Sequence, residues 1–156
     1  MSASYNAIKE SYKSAQNPGR SWLYQTCSEW GFYMTCHESS KCPYARNLPN
    51  LEVSLDLCNE AFGINADDVK KNIAYANEMY GGASIQGTRI MFPNGVVDPW
   101  SANGVLVSPN SQEPTFMVAG TSHHFWTHTS KPTDSEAVVA AREKIWKFVE
   151  KSLAET

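Results

Sequence analysis

The hydrophobic rhythm of the chain changes halfway along. Residues 1–16 predict a helix that stops before Asn17-Pro18-Gly19, a strong turn signal. From Arg20 to Tyr33 aromatic residues crowd around Cys27 with no clean period. Residues 36–50 hold two cysteines, two prolines and several polar residues, which predict a loop. Leu51, Leu55, Cys58 and Phe62 then recur at i, i+4, i+7 and i+11 with Gly63 behind them, so 51–62 predicts a helix. Asn65 is placed to cap a second helix, with Asp67 and Asp68 complementing the dipole of its first turn. That helix ends at Gly81-Gly82.

Beyond this point the apolar runs are short and continuous. Arg89-Ile90-Met91-Phe92 ends at Pro93-Asn94-Gly95, and Thr115-Phe116-Met117-Val118-Ala119 ends at Gly120. Both predict short buried strands. The roughly 20 residues between them suffice for a parallel crossover. Residues 135–153 predict a helix, with Val138, Val139, Ile145, Trp146, Val149 and Leu153 as its apolar stripe and Asp134 or Ser135 as its cap. The order strand, loop with short helix, strand, loop, helix is a fragment of an α/β fold. Two strands and one long helix do not make a self-sufficient sheet.

Composition narrows the class. At 156 residues, the length corresponds to about one domain. With 42% hydrophobic and 19% charged residues, the chain is neither disordered nor fibrous. No apolar run approaches the ~20 residues of a membrane span. A formal net charge of −3 argues against nucleic-acid binding through a basic surface. The first ten residues lack the positive start and apolar stretch of a signal peptide. The expectation is therefore a cytosolic protein, or a natural precursor that begins elsewhere. The cysteines bear on that choice. Cys27, Cys36, Cys42 and Cys58 are even in number and clustered, which favours disulfides and an oxidising compartment over free thiols. None of their gaps has the short spacing of a zinc knuckle. Four cysteines allow three pairings, and spacing does not choose among them.

In open α/β sheets, catalytic groups sit beyond the carboxyl ends of strands. After the first strand comes Asn94-Gly95-Val96-Val97-Asp98-Pro99-Trp100, and after the second Gly120-Thr121-Ser122-His123-His124. An Asp thus follows one strand and a His the next. This is the chain order of the last two members of an α/β-hydrolase triad, in which the Asp fixes the imidazole tautomer and the His serves the serine as base. An Asp before Pro-Trp is also an ordinary turn former whose carboxylate accepts from nearby amides, and a loop His is more often a packing or surface residue. His123, His124 and His128 raise the question of a metal, but the His-Glu-x-x-His pattern of a zinc helix is missing, and no metal is expected. No Gly-x-Ser-x-Gly elbow occurs: Ser84, Ser101 and Ser122 all lack its glycines. A nucleophile would precede the Asp by several elements and is expected upstream of Met1.

Several ordered motifs together resemble one family. They are Trp22-Leu23-Tyr24-Gln25-Thr26-Cys27-Ser28-Glu29-Trp30-Gly31-Phe32-Tyr33, Leu57-Cys58 before Phe62-Gly63, Tyr80-Gly81-Gly82, Asn94 to Trp100, and Gly120-Thr121-Ser122-His123. From about Arg20 to the last helix, the chain resembles the C-terminal part of the serine peptidases that group lysosomal Pro-Xaa carboxypeptidase, dipeptidyl peptidase II and thymus-specific serine protease. It looks nearest to the thymus-specific branch. The resemblance implies an α/β-hydrolase with a helical cap inserted before the last strands. Residues 1–80 would be the end of that cap, and 81–156 the last two parallel strands and final helix. Asp98 and His123 match the catalytic Asp and His, and His124 is a neighbour of the base. Trp100 is a candidate for the active-site mouth, its alternative role being packing under the Asp loop. Cys27 and Cys58 match a family disulfide, which leaves Cys36 and Cys42 to close a short loop or Cys36 to pair upstream. The implied activity is serine exopeptidase cleavage of peptide substrates, often beside proline, in lysosomes or secretory vesicles, without a cofactor. The partner would be the rest of the hydrolase chain, which carries the serine. The alternative is a catalytically inactive, truncated relative that serves as a binding or assembly subunit. The chain departs from the family after His124, where it reads Phe125-Trp126-Thr127-His128.

Overall fold

The computed structural model describes residues 3–39, 41–42 and 50–155. Most of the second half of the loop expected over 36–50, residues 40 and 43–49, therefore lies outside the described residues. The chain divides into two compact units, Met1–Gly82 and Ala83–Thr156.

The first unit is helical. Helix α1 is Ala3–Lys13, a turn shorter at its end than the sequence suggests. Helix α2, Arg20–Gln25, runs on into a π-helical turn, Thr26–Trp30, closed by the Gly31 amide donating to the Thr26 carbonyl. This explains why no 3.6-residue period is visible there: the winding changes within eleven residues. Gly31 has φ +59, and a Cβ at this position would collide with the side chain of Ile73. Only glycine suits both demands. Helix α3, Leu51–Phe62, starts on the Asn50 side chain, which accepts from the Val53 amide, and stops at left-handed Gly63. Helix α4, Ala66–Tyr80, starts on Asn65, which accepts from the amides of Asp67 and Asp68.

Two disulfides, Cys27–Cys58 and Cys36–Cys42, use all four cysteines. The first is fully buried with Val69 at the centre of this unit's core, ringed by Leu23, Tyr33, Leu55, Phe62, Ile64 and Ile73. Arg20 joins the helices from outside. Its guanidinium donates to the carbonyls of Tyr12 and Ala61 and lies 4.4 Å over the Phe62 ring.

The second unit combines a parallel pair of strands, β1 (Phe92–Gly95) and β2 (Thr115–Val118), with helix α5 (Glu136–Ala154). Strand β1 lies C-terminal to the predicted Arg89–Phe92 and shares only Phe92 with it. The apolar run is not what pairs. Arg89 sits at φ +59 and turns the chain, and pairing begins at Phe92 opposite Thr115. Pro93 is tolerated because alternate residues face β2: the Phe92 amide donates to the Pro114 carbonyl and the Val96 amide to the Val118 carbonyl.

The core of this unit is Val118, Trp126 and Ala141, flanked by Phe116, Ala137 and Ile145. Ser135 caps α5 by accepting from the Val138 amide. The predicted apolar stripe on α5 is only one-third used. Val138 is buried and Ile145 packs on the core, whereas Val139, Trp146, Val149 and Leu153 are exposed. The buried face includes Ala137 and Ala141, and the exposed apolar residues form an adjoining face. Glu113 is fully buried at the entrance to β2. One carboxylate oxygen accepts from Asn110 Nδ2 at 2.8 Å, and the other has no partner among the described residues.

Candidate functional site

The two chemistry-bearing loops leave the same end of the parallel pair. Strand β1 ends at Gly95 with Asp98 three residues on, and β2 ends at Val118 with His123 five residues on. One backbone bond ties the loops together, the Val97 amide donating to the Thr121 carbonyl at 3.0 Å, and the Thr121 hydroxyl braces its own loop by donating to the Val118 carbonyl at 2.9 Å. His123 Nδ1 then lies 2.8 Å from Asp98 Oδ2.

An ionised carboxylate only accepts, so Nδ1 carries the proton in this bond and Nε2 is left as the basic nitrogen. The environments of the two groups differ sharply. The Asp98 side chain is 6% exposed and that of His123 is 55% exposed. The carboxylate is fixed and shielded, and the imidazole reaches solvent. Asp98 is a turn former as well, since its Oδ1 accepts from the Trp100 amide at 2.9 Å and caps the short 3₁₀ helix Pro99–Asn103. Its two oxygens serve two purposes, and the first orients the carboxylate for the second.

Two residues to which the sequence motif assigns no role make the approach possible. Gly95 lies against the other loop: a Cβ there would stand 2.6 Å from the carbonyl oxygens of both Thr121 and Ser122. The buried Asn94 side chain donates to the carbonyls of Phe92 and Val105 at 3.1 and 3.2 Å, which fastens the crossover to β1. The Asn-Gly pair resembles a turn signal in the sequence, and its role emerges only when the second loop is in place.

The other candidates group around His123. The Trp100 ring is tilted at 5.9 Å from the imidazole. The His124 ring is edge-on to His123 at 4.5 Å, with its backbone in the left-handed region at φ +40, and its Nδ1 is within hydrogen-bond distance of the Thr127 hydroxyl. His128 lies 5.6 Å beyond, ring to ring. Among the described residues, no three His, Cys, Asp or Glu side chains converge to hold a metal ion.

The segment after His123 is pinned to α5. Trp126 inserts its ring into the core, and Arg142 donates to the carbonyls of Trp126 and His128 and to the Asp134 carboxylate. The Arg142 hydrogen bond, helped by the Lys131 amide, holds the Asp134 carboxyl below the usual carboxylate range.

Such a pair beyond adjacent parallel strands can take a proton from a nucleophile and return it to a leaving group, given a nucleophile in reach of Nε2. None of the three serines considered in the sequence has an elbow, and Ser101 donates its hydroxyl to the Asp98 carbonyl.

Comparison with known proteins bears on which chemistry this is. The sequence pattern of the family Serine carboxypeptidase S28 matches residues 1–145. Thymus-specific serine protease of Mus musculus is 40% identical over 126 residues, covering 81% of this chain and 24% of that protein. Thymus-specific serine protease of Homo sapiens is 39% identical over 127 residues, with the same coverage of each chain. Lysosomal Pro-X carboxypeptidase of Homo sapiens is 30% identical over 124 residues, covering 78% of this chain and 23% of that protein. No solved structure matches the chain. The chain spans about a quarter of the length of these curated relatives. With the family pattern matched over residues 1–145, the chain belongs to the serine carboxypeptidase S28 family.

Proposed function

We propose that this chain is the Asp–His part of a serine exopeptidase of that family, acting on peptides beside proline in a lysosomal or secreted setting. On this reading residues 1–80 are the end of a helical cap, and 81–156 are the last two strands and final helix of an α/β-hydrolase. The nucleophilic serine comes from the part of the enzyme outside these 156 residues. It attacks the scissile carbonyl, His123 Nε2 takes its proton and returns it to the leaving amine, and Asp98 holds the ring and stabilises its charged form. No organic cofactor enters. The carrying observation is the 2.8 Å bond between His123 and Asp98 from loops at one end of adjacent parallel strands.

A second reading, an inactive relative that serves as a binding or assembly subunit, draws on the exposed apolar Val139, Trp146 and Val149 of α5. One experiment separates the two: the intact mass of the native protein, with a proline-containing peptide assay on each form. A native mass well above 17.3 kDa, with turnover lost on His123→Ala, supports the peptidase. A native protein of 17.3 kDa without turnover supports the subunit. The recombinant 156-residue chain alone is expected to be inactive. Turnover by it that dies with His123→Ala would overturn the need for a serine from outside.

A further inference from the structure

We infer that Arg142 is a positioning residue for His123, acting through the loop that follows the imidazole; the inference rests on the reading of Asp98 and His123 as orienter and base. His123 needs such support. Its side chain is more than half exposed, so packing does not hold the ring, and its bond to Asp98 is held from the Asp98 side alone unless the His123 backbone is itself fixed. On the N-terminal side the backbone is fixed by the bonds at Thr121. On the C-terminal side the next residue, His124, is a non-glycine at φ +40 and ψ +31, a conformation that persists only where the surroundings impose it.

Arg142 supplies that imposition from α5. Its Nε donates to the Trp126 carbonyl at 2.8 Å, its Nη2 to the His128 carbonyl at 3.0 Å, and its Nη1 to Asp134 Oδ2 at 2.6 Å. The same Asp134 oxygen accepts from the Lys131 amide at 2.8 Å. One planar guanidinium thus grips three points of the 126–134 segment, which only a fork of fixed donors can do. The Trp126 ring, buried against Val118 and Ala141, provides the apolar half of the same anchor. Between Thr121 and Trp126 the chain is too short to drift far once both ends are held. Arg142 touches no reacting atom; it determines where the His123 backbone stands and therefore whether Nδ1 meets Asp98.

The test reads the tautomer of the neutral His123 ring by long-range proton–nitrogen NMR on the full chain. Wild type should show the Nδ1–H form, held by Asp98. Arg142→Met should lower the ratio of Nδ1–H to Nε2–H by about tenfold, the equivalent of losing most of one charge-assisted hydrogen bond. Asp134→Asn, which keeps both carbonyl contacts, should change the ratio far less, although it too loosens the segment. Arg142→Lys keeps the charge but not the fork and should fall between. If Arg142→Met does not fold, Arg142→Lys carries the test: a ratio below wild type supports the inference, and a wild-type ratio overturns it. A folded Arg142→Met with the wild-type ratio overturns it as well. Asp98→Asn separates the levels. If it leaves the tautomer unchanged, the orienter reading itself fails; if it shifts the tautomer and Arg142→Met does not, only the role of Arg142 fails.

Discussion

Replacing Gly95 by alanine tests the contact that brings the two loops together. The glycine is not in the left-handed region, so its backbone suits any residue. The effect of the substitution is therefore steric. The added methyl would stand 2.6 Å from the Thr121 and Ser122 carbonyl oxygens, where ordinary contact begins at 3.4 Å. The loops must part by about 0.8 Å, and both obstacles are backbone, which cannot rotate away. Passed on in full, that shift stretches the Asp98–His123 bond from 2.8 Å to about 3.6 Å, beyond hydrogen-bond reach. Overpacking of this kind costs about 1–3 kcal/mol, and the lost charge-assisted bond adds about 1 kcal/mol at an exposed imidazole. Urea unfolding of the chain should show a loss of about 2–4 kcal/mol at unchanged slope. If the chain is part of a longer serine exopeptidase, as proposed, kcat of that enzyme should fall by orders of magnitude with KM little changed, because a displaced base weakens the transition state more than the ground state. Gly95→Ala with wild-type stability and an intact Asp98–His123 bond would refute the close-approach account.

The two disulfides should differ in weight. Loops of 31 and 6 residues correspond to about 3.7 and 2.2 kcal/mol of loop-closure stabilisation. Cys27→Ala with Cys58→Ala, which also hollows the core, should therefore cost more than Cys36→Ala with Cys42→Ala. Hydrogen exchange of α4 would read the difference, and equal costs would contradict it. Asp134 has a depressed folded value, so its pairing stabilises the fold above its unfolded value of about 3.9 and is lost as pH falls through the lower folded one. The stability gap between wild type and Asp134→Asn should accordingly be open at neutral pH and close in acid; a gap independent of pH would count against it. Glu113→Gln replaces a fully buried carboxyl group that has one donor with a neutral amide, and should raise the urea midpoint. A lowered midpoint would reveal a second donor to that carboxylate.

What the sequence determined was local. Helix α3 is legible from the recurrence of Leu51, Leu55, Cys58 and Phe62, α4 and α5 from their caps Asn65 and Ser135, and left-handed glycines end the first two. Strand β2 and the candidate pair Asp98 and His123 are legible because short apolar runs and the residues following them are contiguous in sequence. What required tertiary structure was every feature set by a partner distant in the chain. Strand β1 took its register from Thr115 to Val118 and not from its own apolar run. The stripe on α5 separated into covered and uncovered faces only where Val118, Trp126 and Phe116 came to lie against it. Asn94 and Gly95 lie in a motif that does not say what they do, and Arg142 lies in none, because their roles lie in carbonyls of other segments. Periodicity and caps report a residue's neighbours along the chain; a close approach or a clamp depends on which surfaces meet, and folding alone brings those together.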